Sequence, residues 1–135
     1  MNFMGMIASG GRAAEPHMVS EIRVGEEVTY RAETVMSEQI LDEDTARILA
    51  GYMANNVQSV YGAGNFPGLT VCAKSGTSQL GGGKTSNAMF AGFVSDEEYP
   101  LAFICVVENG GYGASTCVPV LSKVLAACKA ALDAG

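Results

Sequence analysis

The sequence predicts an α/β chain of the α+β kind: a small hairpin, a long helix, a three-stranded antiparallel sheet and a C-terminal helix. Three observations predict it. Apolar residues recur at helical spacing after Asp42 and again after Ser115. Apolar positions alternate between Met18 and Tyr30. Three short apolar runs, Leu69 to Ala73, Ala88 to Val94 and Leu101 to Val107, are separated by glycine-rich or charged loops.

Residues 3–9 are apolar and small, and Gly10-Gly11 stops them as a helix C-terminus would. They are expected to be the last turns of a helix that begins earlier. Met18, Ser20, Ile22 and Val24, a turn at Gly25-Glu26, then Val28 and Tyr30 predict the hairpin. Asp42 can cap the following helix, with Glu43 and Asp44 at the positive end of its dipole. Its buried stripe is expected at Ile48, Leu49, Tyr52, Met53, Val57 and Val60, ended by Gly62 and Gly64. The two later apolar runs are almost wholly hydrophobic, so their sheet is expected to be covered on both faces. Asn109 to Gly113 breaks the chain, and Ser115 or Thr116 is expected to cap the last helix with Pro119 in its first turn. Val118, Leu121, Val124, Leu125, Cys128 and Leu132 are expected to form its buried face.

At 135 residues with 48% hydrophobic and 16% charged composition, the chain is one domain or part of one, globular in character. Fourteen acidic against eight basic residues, a net charge of -6, argue against nucleic acid as a partner. No apolar run has the roughly 18–20 residues that a bilayer span needs, and Met1 to Ile7 lacks the basic start of a signal peptide. Cys72, Cys105, Cys117 and Cys128 form no Cys-x-x-Cys pair, and His17 is the single histidine. Reduced, mostly buried thiols are expected, with no metal site and no cofactor.

The chemistry-bearing feature is Lys74-Ser75-Gly76-Thr77 at the end of an apolar strand, followed by Ser78-Gln79. Ser75 and Thr77 share strand parity, so both hydroxyls can face one ligand. Gly76 has no Cβ to obstruct a ligand backbone. The tetrapeptide resembles the Lys-Thr-Gly element of penicillin-binding proteins and serine β-lactamases. Flanking segments extend the resemblance in order along nearly the whole chain: Ile7 to Arg12 with Pro16-His17, Met89 to Val94, and Val106 to Gly113. The sequence is similar to the C-terminal portion of a penicillin-binding D,D-transpeptidase domain, residues 1–135 being read as an incomplete domain of β-lactamase/transpeptidase-like fold.

That resemblance implies a role for each residue. A substrate ending in D-Ala-D-Ala, or a β-lactam, would lie along the strand edge as an added strand. Ser75 and Thr77 would bind its carboxylate, and the N–H of Thr77 would form part of an oxyanion hole, worth roughly 3 kcal/mol. Lys74 would supply the catalytic positive charge. Peptidoglycan stem peptides and β-lactams would be the partners, through the intact domain, at the extracytoplasmic face of the bacterial membrane. This segment itself is expected to make no membrane contact. In the parent fold the Leu101 to Val107 strand pairs with a strand from the start of the domain, so that run is expected to be a bare edge that makes a homo-oligomer.

The departures matter as much. No serine in the chain has lysine three residues on, and there is no Ser-x-Asn or Tyr-x-Asn. The resemblance places the nucleophile, its lysine base and the second serine before the segment seen here. The chain is therefore expected to be inactive alone. Three readings stay open: the substrate-binding part of an enzyme, a non-catalytic peptide or β-lactam binding module, or a folded fragment with no independent activity. Gly81 to Thr85 is not a nucleotide loop, because Ser78 stands where that motif needs its first glycine and a strand follows where it needs a helix. His17 is expected on a surface loop.

Overall fold

The computed structural model describes residues 1–135, and the chain opens with helix α1 (Asn2–Ala8). Gly10 and Gly11 follow at positive φ, and Gly11 N donates to Met6 O at 2.8 Å, the left-handed stop that the glycine pair predicts. A Cβ on Gly11 would lie 1.9 Å from Leu41 O. Only glycine lets the end of α1 pass this close to the start of the next helix. Between them, β1 (Glu21–Val24) and β2 (Glu27–Arg31) form the expected hairpin, with Gly25 at φ +65° in its turn. Its alternation buries nothing: Ile22, Val24, Val28 and Tyr30 all remain exposed.

Helix α2 (Glu43–Asn56) begins as expected, Thr45 N donating to Asp42 Oδ1 at 3.1 Å. The predicted stripe is half right. Met53 and Val57 are buried and Leu49 is half-buried, but Ile48, Tyr52 and Val60 are exposed. The helix turns Ala46, Leu49, Ala50, Met53 and Val57 inward. Ile48 and Tyr52 lie about a third of a turn or more away, beyond the sheet's reach. After Asn56 the helix widens into a π-helical turn (Val57–Tyr61), closed by Gly62 at φ +83°.

Strands β3 (Val71–Ser78), β4 (Asn87–Val94) and β5 (Ala102–Val107) pair antiparallel in the order β3-β4-β5. The register sets Ser75 opposite Phe90, Gly76 opposite Met89, and Phe90 opposite Cys105. One face carries Val71, Ala73, Phe90 and Phe103 into the main core. The other carries Cys72 and Phe93 into a smaller cluster with Ile7 and Met53. The expectation of cover on both faces holds for β4 but fails for β5, where Ile104 and Val106 are exposed. Short α1 reaches only the Phe93 end of that face.

Helix α3 (Gly113–Ala134) covers the first face. It starts before Ser115, so neither Ser115 nor Thr116 is its N-cap. Thr116 N already donates to Tyr112 O, and Pro119 consequently sits beyond the first turn. Cys117, Val118, Leu121 and Leu125 are buried, whereas the predicted Val124 and Leu132 are exposed and Cys128 is half-buried. Counter to the expectation that no apolar stretch has the length of a bilayer span, α3 at 22 residues is long and apolar enough to cross one, yet its buried side is committed to the sheet. All four cysteines are unpaired. Burial pushes the Cys72 thiol up, and burial with the neighbouring Cys105 pushes Cys117 up to about 11.

Candidate functional site

β3 has a strand neighbour on one side only. Lys74, Ser75, Gly76 and Thr77 occupy its second half, along the open outer edge. Alternation sends Ser75 and Thr77 to the α3 face and Lys74 and Gly76 to the other. Lys74 and Thr77 are exposed and Ser75 and Gly76 half-buried. The four predicted residues are thus contiguous on one accessible edge.

The two hydroxyls are held by different elements. Tyr61 Oη donates to Ser75 Oγ at 3.0 Å and accepts from Ser75 N at 3.0 Å. Lys74 Nζ reaches round the edge to Ser75 O at 2.6 Å, with Ser75 Oγ 3.5 Å away. Thr77 Oγ1 accepts from Gly113 N, at the start of α3, at 3.3 Å. Each hydroxyl therefore receives a hydrogen bond from the protein and keeps its own proton to give. The positive end of the α3 dipole adds to the Lys74 charge beside them. Donors converge here on a place suited to an anion.

Tyr61 is carried to the edge by the π-helical turn and wedged there, its ring edge-on to Phe90 with centroids 4.9 Å apart. Burial alone would push its phenol up. The hydrogen bonds with Ser75 and the nearby Lys74 charge together outweigh burial and leave it below the ordinary tyrosine value. A groove of about 290 Å³ opens next to Tyr61, between Val60, Tyr61 and Asn65 on one wall and Ala114, Ser115 and Val118 on the other, and none of Lys74, Ser75, Gly76 and Thr77 lines it. A larger cavity, about 490 Å³, lies at the opposite end of the sheet and touches none of the four predicted residues. His17 is exposed before β1, away from this edge, and Gly81 to Thr85 lies in the exposed β3–β4 connection.

The sequence reading missed Tyr61 and Gly113. Tyr61 lies outside the predicted stripe, and only its position at the helix end, before the motif strand, hints at it. In the sequence Gly113 is one more glycine in the break before the last helix, although it is the residue on which α3 docks.

The family model of the penicillin binding protein transpeptidase domain matches residues 1–126. No curated protein matches the sequence. Among solved structures, a ceftriaxone acyl-enzyme complex of penicillin-binding protein A from M. tuberculosis is 20% identical with a TM-score of 0.83, over 94% of this chain and 31% of that one. The D,D-transpeptidase domain of a peptidoglycan glycosyltransferase from Eggerthella lenta is 23% identical, TM-score 0.74, over 90% of this chain and 30% of that one. A peptidoglycan synthase complex that coordinates polymerization and crosslinking is 21% identical, TM-score 0.73, over 93% and 22%. The chain spans a third or less of the length of these structures.

Proposed function

The chain belongs to the penicillin-binding protein transpeptidase domain family, and from that premise we propose that β3 is the strand along which a D-Ala-D-Ala stem peptide or a β-lactam lies during acyl transfer. In that reaction a nucleophilic oxygen adds to the penultimate carbonyl and the peptide C–N bond breaks. The terminal D-alanine leaves with a proton, and an acceptor amine later takes the acyl group. Ser75 and Thr77 donate their hydroxyl protons to the terminal carboxylate, with Lys74 and the α3 N-terminus supplying positive potential. The Thr77 N–H, on the outer edge, faces the carbonyl oxygen as charge develops. Gly76 keeps the surface flat for the ligand backbone.

The arrangement that carries this reading is the pair of same-face hydroxyls already receiving hydrogen bonds, from Tyr61 and from Gly113. These 135 residues form the substrate-strand portion of the domain and supply no nucleophile, since none of their serines has a lysine three residues on. The intact protein would act on peptidoglycan at the outer face of the bacterial membrane. The missing serine–lysine pair equally favours a second reading, a binding module that holds the same ligands without reacting.

Fluorescent penicillin followed by denaturation is expected to label no serine. Acetyl-D-Ala-D-Ala is expected to shift the amides of Ser75, Gly76 and Thr77, with a Kd of roughly millimolar or weaker because one wall of the cleft is open. A stoichiometric serine adduct would overturn the assignment of the nucleophile elsewhere. Shifts confined to other strands would overturn the assignment of β3.

A further inference from the structure

Tyr61 does more than support Ser75. A strand added to β3 must bond to the N–H and C=O groups that point away from β4, and these belong to alternate residues. Ser75 N is one of them, since it reaches Tyr61 rather than β4. Thr77 has the same parity. At Ser75 both outward groups are already used: the N–H by Tyr61 Oη at 3.0 Å and the C=O by Lys74 Nζ at 2.6 Å. At Thr77 no neighbouring strand lies alongside. An added chain therefore finds an open position at Thr77 and an occupied one at Ser75.

The block is rigid. The Tyr61 ring rests against Phe90, which is fully buried, and the chain behind it ends in the π-helical turn fixed by Gly62 at positive φ. Displacing the phenol would break both of its bonds to Ser75 and uncover Phe90. What is offered at the blocked end is positive and donor-rich: the Lys74 ammonium and the Ser75 and Thr77 hydroxyls. A carboxylate is satisfied there. A continuing peptide bond is not, because its next residue would collide with the phenol.

We infer that Tyr61 is an end stop: it fixes the register of a ligand on β3 by closing the strand edge at Ser75, so that the ligand must terminate there in a free carboxylate. Tyr61 is in this sense a positioning and specificity residue, and the inference rests on the proposed use of β3 as the ligand strand.

Three chains test it: the unsubstituted protein, Tyr61→Phe, which keeps the ring, and Tyr61→Leu, which packs on Phe90 but cannot reach Ser75. The probes are acetyl-D-Ala-D-Ala and the same peptide extended by a C-terminal glycine, which also ends in a carboxylate but one residue further on. Titrations followed at the Thr77 amide should show the extended peptide binding the unsubstituted chain at least about fivefold more weakly, a gap shrinking to within about twofold in Tyr61→Leu. Without ligand, the Ser75 amide should exchange slowly in the unsubstituted chain and fast in Tyr61→Phe, with neighbouring β4 amides unchanged. Equal binding of both probes to the unsubstituted chain overturns the end stop and leaves the ligand strand standing. So does a gap that persists in Tyr61→Leu, or Ser75 protection that survives in Tyr61→Phe. Binding of neither probe at β3 overturns the ligand strand and the end stop together.

Discussion

A methyl group on Gly113 would sit 2.2 Å from Gly76 O and 2.4 Å from Met89 O, backbone atoms of two paired strands that cannot step aside. Gly113→Ala must therefore lift the start of α3 away from β3, at a cost of roughly 1–3 kcal/mol. Gly51, in the middle of α2, meets nothing within 4 Å, and alanine there should stabilise by about 0.5–1 kcal/mol by removing backbone freedom from the unfolded chain. Urea melts of the two variants should move in opposite directions, and a neutral Gly113→Ala would mean that α3 does not dock as described. The same residues show what a sequence can carry. Lys74 to Thr77 was legible because side-chain type, strand parity and neighbouring order all lie in one continuous segment. The partners were not, because Tyr61 reaches Ser75 only through a π-helical turn and a ring contact with Phe90. Gly113 looks like any loop glycine until the distance to Gly76 is known.

Among the elements, α3 is held to the far end of the sheet by one polar cluster. Lys129 Nζ lies 2.7 Å from Asp133 Oδ2 and donates to Tyr99 Oη at 2.7 Å, while Tyr99 Oη donates to Asp133 Oδ1 at 2.7 Å. The ammonium also stands 4.6 Å from the Tyr99 ring centroid. The hydrogen bond from Lys129 chiefly, and that from Tyr99 next, hold the Asp133 carboxyl below its ordinary value. A lowered carboxyl pKa means the unfolded chain binds the proton more readily. The cluster's contribution is then fully present above the ordinary carboxyl range and lost as pH falls through the folded value. Lys129 is shifted upward, by its hydrogen bond with Asp133 first. Its share is thus complete below the ordinary lysine value and fades as pH rises through the raised one. Protection of the last-turn amides of α3, taken relative to their intrinsic exchange rate at each pH, should be greatest in the broad range between, and Asp133→Asn should remove the acid limb. An acid limb that is unchanged in Asp133→Asn would assign it to other carboxylates. Element existence was readable from spacing alone, but the buried face was not. α2 carries apolar residues on more than one side, and only the sheet's position decides that Met53 faces in and Ile48 out.

At the scale of the molecule, the chain buries only 22 of 135 residues, none of them polar or charged, a small core for its length. β5 is an edge strand with Ile104 and Val106 exposed on the face that α1 leaves open. Its run from Leu101 to Val107 carries neither charge nor proline to deter pairing. The chain is expected to form a dimer or higher oligomer through this edge or through the exposed side of α3. Sedimentation over a range of concentrations should show mass increasing with concentration. A clean monomer at high concentration with slowly exchanging β5 amides would refute it. The β1–β2 hairpin behaves differently. Glu15 N donates to Val35 O and Ser37 N to Ala13 O, so the chain departs and returns through one narrow neck at the Ala14–Met36 bridge. Everything beyond that neck is an appendage whose length and wording can drift, or be exchanged for a tag, while its anchor points stay fixed. A graft made at that place is expected to change what the molecule displays without disturbing what it grips.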